Sequence, residues 1–221
     1  EPADIDARNA LIRADAAPCQ IHNNCSGKHA GFLTLTAHLG GGPDYVAADH
    51  PVQQTVRAAF EEVTGQDSPG YGIDGCSAPN FVTTVHGMAR AMAAYASADE
   101  GADSRQSAMV RLREAMMAHP ALVAGEGRAS TELMRAAVEP VALKTGAEGF
   151  FVAILPERGI GIALKVVDGA TRAAECTIAA LLVRLGALEA EHPTTRQFLN
   201  APIVNRQGLE TGHIVPDARL V

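Results

Sequence analysis

Apolar positions recur at helical spacing along most of the chain and then switch to a continuous run. Residues 3–14 predict a short helix. Residues 27–39 predict a second, which must stop at Gly40-Gly41-Gly42-Pro43. Asp49 stands where it would cap a third helix over 50–63, with Pro51 in the first turn, where its missing N–H costs nothing. A Gly- and Pro-punctuated loop then leads to Asn80, read as the cap of a helix over 81–97. Residues 99–105 are a polar connector. The next helix, 105–118, carries Val110, Leu112, Met116 and Met117. A turn region over 120–128 and a short helix near 130–138 follow. The run Gly149–Leu155 then reads as a strand, 156–159 as a turn and 160–167 as a second strand, which is a hairpin signal. An Ala- and Leu-rich helix over 171–187 comes next, and 192–221 reads as irregular. The order predicts an α/β chain of the α+β type, with an antiparallel sheet covered by helices, as one domain over residues 1–221.

Composition narrows the function classes. The 221 residues carry 18 basic and 25 acidic side chains, a formal charge of −7. A net-acidic chain without Lys/Arg runs argues against nucleic acid and anionic membrane as partners. No apolar run approaches the roughly 18 residues of a membrane span, and no signal peptide is visible. Four cysteines without CxxC spacing fit a reducing compartment, so a cytoplasmic location is expected. The basic residues are uneven: fifteen are Arg and three are Lys, namely Lys28, Lys144 and Lys165. Lysine can lose its proton when buried, whereas arginine does not, so each lysine merits a reading.

Cys25-Ser-Gly-Lys28-His29 brings a thiol, an amine and an imidazole together at the start of a predicted helix, whose N-terminus favours anions and lowers a thiol pKa. It is not a phosphate loop: His22 stands where that motif needs Gly, and His29 where it needs Ser or Thr. Gly72-Ile-Asp74-Gly-Cys76-Ser-Ala-Pro79 brackets an acid and a second thiol in a tight loop, which alone is most simply a turn. Two thiolates with one further ligand and a water describe an open zinc site, and chemistry alone nominates His29 or His22 as that ligand. Cys176, in an apolar helix, reads as core. Lys144-Thr-Gly precedes the hairpin as in serine β-lactamases, yet no Ser-x-x-Lys occurs in the 221 residues. Lys165 alternates away from Leu164 and Val166 on its strand and reads as structural.

Taken in order, Asn24–Gly31, His50–Gln53, Gly72–Pro79, Gly125–Thr131, Lys144–Gly149 and Gly161–Arg172 resemble the L-asparaginase II family, the rhizobial-type asparaginases. The resemblance implies a serine β-lactamase/glutaminase-like fold and hydrolysis of L-asparagine to L-aspartate and ammonia. It implies a Ser-x-x-Lys nucleophile upstream of residue 1, so that these residues form the C-terminal two-thirds of the enzyme and are inactive alone. It makes Lys144 catalytic and assigns a Zn2+ to Cys25, Lys28 and Cys76, with Lys28 in place of an imidazole. Asp74 then lies near the substrate, and Arg128 and Glu148 are further candidates to bind it. A homodimer is the expected assembly. Two other readings stand beside this one: a β-lactamase-type serine hydrolase, on Lys144-Thr-Gly alone, and a non-catalytic module binding zinc or an amino acid.

Overall fold

Side-chain caps decide where the first and third α-helices within residues 1–83 begin. The computed structural model describes every residue but Glu1, Ala3 and Val221, and it forms two units, 1–83 and 84–221. In the first, helix α1 (Ile5–Arg13) starts where Asp4 Oδ1 accepts from the Ala7 N–H at 2.7 Å. The expectation for this helix began at Ala3, which lies outside the described residues. Helix α2 (Ser26–Leu39) ends at Gly40 as its sequence demands.

Helix α3 (Pro51–Thr64) corrects one expectation: its cap is His50, not Asp49. The imidazole Nδ1 accepts from the Val52 N–H at 3.2 Å. A second correction follows at Asn80. Pro79–Phe81 is strand β2, paired antiparallel with β1 (Tyr71–Ile73), so Asn80 sits opposite Gly72 in a small hairpin. Phe81 packs on Phe60 and Tyr71, each with ring centroids 6.2 Å away, and this apolar anchor holds the segment extended. Among the described residues of this unit, few apolar side chains are buried, Val52 and Ala78 completely.

In the second unit, helix α4 (Val85–Ala96) begins at a Thr84 cap that accepts from the Gly87 N–H at 2.9 Å. The β-branched Val82-Thr83-Thr84 stretch before it favours extended backbone, which delays the helix past the expected start. Helix α5 (Ser104–Ala118) is capped by Asp103. The expected turn over 120–128 contains a short helix, α6 (Pro120–Ala124), before α7 (Ala129–Ala136). Strands β3 (Ala142–Thr145), β4 (Phe150–Leu155) and β5 (Ile160–Lys165) form an antiparallel sheet in the order β3-β4-β5. Helix α8 (Thr171–Arg184) follows. The tail is not irregular: α9 (Pro193–Leu199) leads into a hairpin of β6 (Ala201–Val204) and β7 (Glu210–Ile214). Proline at the first helical position starts α9 just as it starts α3 and α6, each time after a histidine.

The class is therefore mixed α/β, with antiparallel strands. Strand β4 is central and covered on both faces, which explains its unbroken apolar run. Phe151, Ala153 and Leu155 join Leu133, Leu143, Ile178 and Leu182, from α7, β3 and α8. Ile154 instead joins Ala142, Met92, Tyr95 and Ala96, towards α4 and α5. Cys176 is buried as expected, its thiol donating to the Leu199 carbonyl at 3.7 Å.

Helix α4 lies so close on β5 that a Cβ at Gly161 would fall 2.0 Å from the Ala93 nitrogen and 2.4 Å from the Ala89 oxygen. Those are backbone atoms of a packed helix and have nowhere to go. Gly161→Ala is expected to lower the unfolding free energy by about 3 kcal/mol in urea titrations. Glu175, half-buried on α8, has its carboxyl pushed above the ordinary range by burial, with Arg128 pulling the other way. A raised folded pKa penalises the carboxylate only above the unfolded value of about 4.3. Glu175→Gln is thus expected to raise the thermal midpoint at pH 7 and to leave it unchanged below about pH 4, where both states are protonated.

Candidate metal and substrate site

Two segments of the first unit, some fifty residues apart in sequence, supply one cluster of donors. Cys25 is the residue before α2, and Lys28 lies one helical turn further along the same face. The helix N-terminus at Cys25 favours negative charge there. Asp74 and Cys76 come from the tip of the β1–β2 hairpin. That tip is closed by the Asp74 N–H on the Ala78 carbonyl (2.9 Å) and the Ser77 N–H on the Asp74 carbonyl (2.8 Å). Fully buried Ala78 anchors its return.

The Cys25 thiol, one Asp74 carboxylate oxygen and the Cys76 thiol lie within 4.8 Å of one another. Lys28 Nζ donates to Asp74 Oδ2 at 2.8 Å, while Asp74 Oδ1 accepts from the Gly75 N–H at 2.6 Å. The hydrogen bond from Lys28 holds the Asp74 carboxyl below the usual carboxylate range, against some burial. Burial works against charge on Lys28, but its bonds to Asp74 and Cys76 outweigh that and raise its pKa. Burial pushes the Cys25 thiol up, the Lys28 charge pulls it down, and neighbouring Cys76 adds to the rise. The resting cluster thus balances a carboxylate with an ammonium. Two sulfurs, an oxygen and an amine gathered this closely form a donor set for a borderline-soft divalent cation.

The imidazoles nominated from chemistry alone are not among the clustered donors, although His29 Nε2 is buried without a hydrogen-bond partner. His29 Nδ1 meets the Tyr45 hydroxyl at 2.8 Å, and His22 Nδ1 accepts from the Cys19 N–H at 2.9 Å. Tyr45 is in turn fixed through its carbonyl, which accepts from Gln53 Nε2 at 2.8 Å, and Gln53 is fully buried on α3. This chain from α3 through Tyr45 to His29 steadies the first turn of α2, where Cys25 and Lys28 sit. The residues missed from sequence are Tyr45, Gln53 and the carboxylate of Asp74 as a member of the donor cluster. The i, i+2 spacing of Asp74 and Cys76 in a tight loop was the available signal for the last. A cavity of about 460 Å3, lined by Ile21, His29, Leu33, Tyr45, Val46 and Cys76, adjoins the cluster.

The remaining candidates lie in the second unit. Lys144 is exposed on β3, opposite Val152, and its ammonium donates to the Thr145 carbonyl. Glu148 lies in the β3–β4 turn with φ 55°, a left-handed conformation unusual for a side-chain-bearing residue. Arg128 is exposed at the start of α7, where its charge acts on Glu175.

Among the described residues, no helix is long and apolar enough to cross a membrane. Comparison with curated proteins finds no match. The profile of one family, L-asparaginase II, matches residues 1–216, nearly the whole chain, and the protein belongs to that family of asparaginase-type amidohydrolases, which act on a small-molecule substrate.

Proposed function

We propose that the protein hydrolyses L-asparagine to L-aspartate and ammonia through an acyl-enzyme, with a Zn2+ beside the reaction centre. The observation that carries this reading is the convergence of Cys25, Lys28, Asp74 and Cys76 in a chain of this family. The Cys25 and Cys76 thiols, within 4.8 Å of each other, are donors of a type that zinc takes. Cys25, Cys76 and Lys28 are the proposed ligands, with Lys28 as the neutral amine. Asp74 keeps one Lys28 N–H as an acceptor and so aims the nitrogen, as outer-shell carboxylates commonly do. When bound, zinc supplies a dication that lowers the pKa of neighbouring amines and acids.

In the proposed reaction a serine oxygen attacks the side-chain amide carbon and passes its proton to a neutral lysine. The reading assigns that serine to a Ser-x-x-Lys motif, which does not occur in these 221 residues. The tetrahedral oxyanion collapses, the amide C–N bond breaks, and the proton moves to the departing nitrogen, which leaves as ammonia. Water then attacks the ester, and the serine regains its proton. A lysine near its ordinary pKa of about 10.4 is a poor base at neutral pH, so a second cation must stand near it. Lys144 fills that part, stabilising charge and relaying the proton. For the substrate's ammonium, Asp74 retains acceptor lone pairs beyond those used by Lys28 and Gly75, and Glu148 is a further candidate. Arg128 offers a guanidinium for a carboxylate.

Incubating the full-length protein with L-asparagine and measuring ammonia tests the reading directly. Turnover of a chromogenic β-lactam without ammonia release would reject it. Cys25→Ser and Cys76→Ser are each expected to remove stoichiometric zinc, read by mass spectrometry of the metal under native conditions; full metal in both would reject the ligand set. Lys144→Arg keeps the charge but not an amine that can shed its proton, so kcat is expected to fall by at least about a hundredfold.

A further inference from the structure

Lys165 is the one lysine that the proposed chemistry leaves without a task. It is exposed at the end of β5, in register with Phe150, the first residue of β4. Its ammonium is not paired with a carboxylate in any interaction that the structure describes for it; it donates to the backbone carbonyl of Glu148. That carbonyl belongs to the turn that immediately follows Lys144-Thr145-Gly146.

The turn is unusual in its own right. Glu148 and Gly149 are consecutive left-handed residues, with φ 55° and 71°. Such a conformation at a residue with a side chain persists only when its surroundings over-determine it, and such outliers gather at functional sites. Here the surroundings are the end of β5 and the bend after it. The Val166 N–H donates to the Gly149 carbonyl at 2.9 Å, next to the bond from Lys165 to Glu148. A Cβ on Gly149 would stand 2.9 Å from the Val166 Cβ and 3.0 Å from the Gly169 carbonyl carbon, so the two turns touch backbone to backbone. On its other side the turn closes β3 through the Gly146 N–H on the Phe150 carbonyl at 2.8 Å. One rigid path therefore runs from the Lys165 ammonium through Glu148 and Gly146 to Thr145 and Lys144.

We propose that Lys165 is a positioning residue: by donating to the Glu148 carbonyl it holds the left-handed β3–β4 turn and so fixes where β3 presents Lys144. This rests on the reading of Lys144 as an amine of the reaction centre. The task needs a cationic donor of sufficient reach and no proton transfer, so Lys165 and Lys144 differ in what replaces them. Arginine serves at 165 and fails at 144.

The test uses Lys165→Met, Lys165→Gln and Lys165→Arg in the full-length protein. Amide hydrogen exchange over residues 146–150 is followed by mass spectrometry, and kcat and KM for L-asparagine are measured. In the Met and Gln variants, turn amides are expected to exchange about tenfold faster and kcat to fall about tenfold, with KM within about twofold, because a misplaced group costs the transition state more than binding. The Arg variant is expected to restore both. Parental exchange and kcat in Lys165→Met would overturn the proposal. So would a loosened turn with unchanged kcat, a rise in KM alone, or loss of protection spread over the whole chain. If the parent protein releases no ammonia, the functional reading has failed instead. The exchange data then decide alone whether Lys165 holds the turn, since unchanged exchange refutes that and faster exchange confined to 146–150 upholds it.

Discussion

The ion pair between Lys28 and Asp74 joins two segments 46 residues apart and sets the charge of everything around it. Both side chains are about one-third exposed, so as a stabilising contact the pair is worth little, of order 1 kcal/mol or less. Its weight is electrostatic. Two thiols and a carboxylate within 4.8 Å of one another would repel strongly if all were ionised. The ammonium offsets the carboxylate and draws down the Cys25 thiol, which burial pushes up. Were the proposed zinc held there, Cys25, Lys28 and Cys76 would hold it and its charge would offset that of the thiolates.

The first unit orders this cluster with very little apolar core. Hydrogen bonds do much of the work instead: a buried glutamine fixes a tyrosine, the tyrosine fixes a histidine, and the histidine is the neighbour of Lys28 on the helix. Buried amides and hydroxyls act well as spacers here because an unmade bond in a dry setting is costly, so each geometry is narrowly defined. The second unit works by packing. Strand β4 buries both faces, α4 approaches β5 to backbone contact at Gly161, and the β3–β4 turn is pressed onto the bend after β5. Rigidity at that turn is what a strand-borne amine such as Lys144 requires, because a side chain is aimed only as well as its backbone is held.

Several features were legible in the residues themselves. The hairpin of β4 and β5 follows from a continuous apolar run and its turn, and the family follows from an ordered set of motifs, which the L-asparaginase II match supports. The caps were harder. Asp49 is the better cap by residue type, but His50 adjoins Pro51 and its imidazole reaches the Val52 N–H. The same His-Pro pair opens α6 and α9, so a local signal was present three times and outweighed the residue-type ranking. Asn80 misled because a cap and a strand residue look alike until the partner strand is known.

Local sequence thus determined the residue types that gather at the site, the helix ends set by glycine and proline, and the strand run of β4, since these depend on backbone preferences within a few residues. Tertiary structure alone decided which of those residues meet. The spacing of Asp74 and Cys76 says that they share a loop; only the packing of the β1–β2 hairpin brings that loop to the first turn of α2. Likewise alternation says that Lys165 faces away from Leu164, but not that its ammonium reaches back to a strained carbonyl seventeen residues earlier. Contacts between distant residues carry no local signature, because the free energy that selects them comes from burial and hydrogen bonds formed only once the chain has closed on itself.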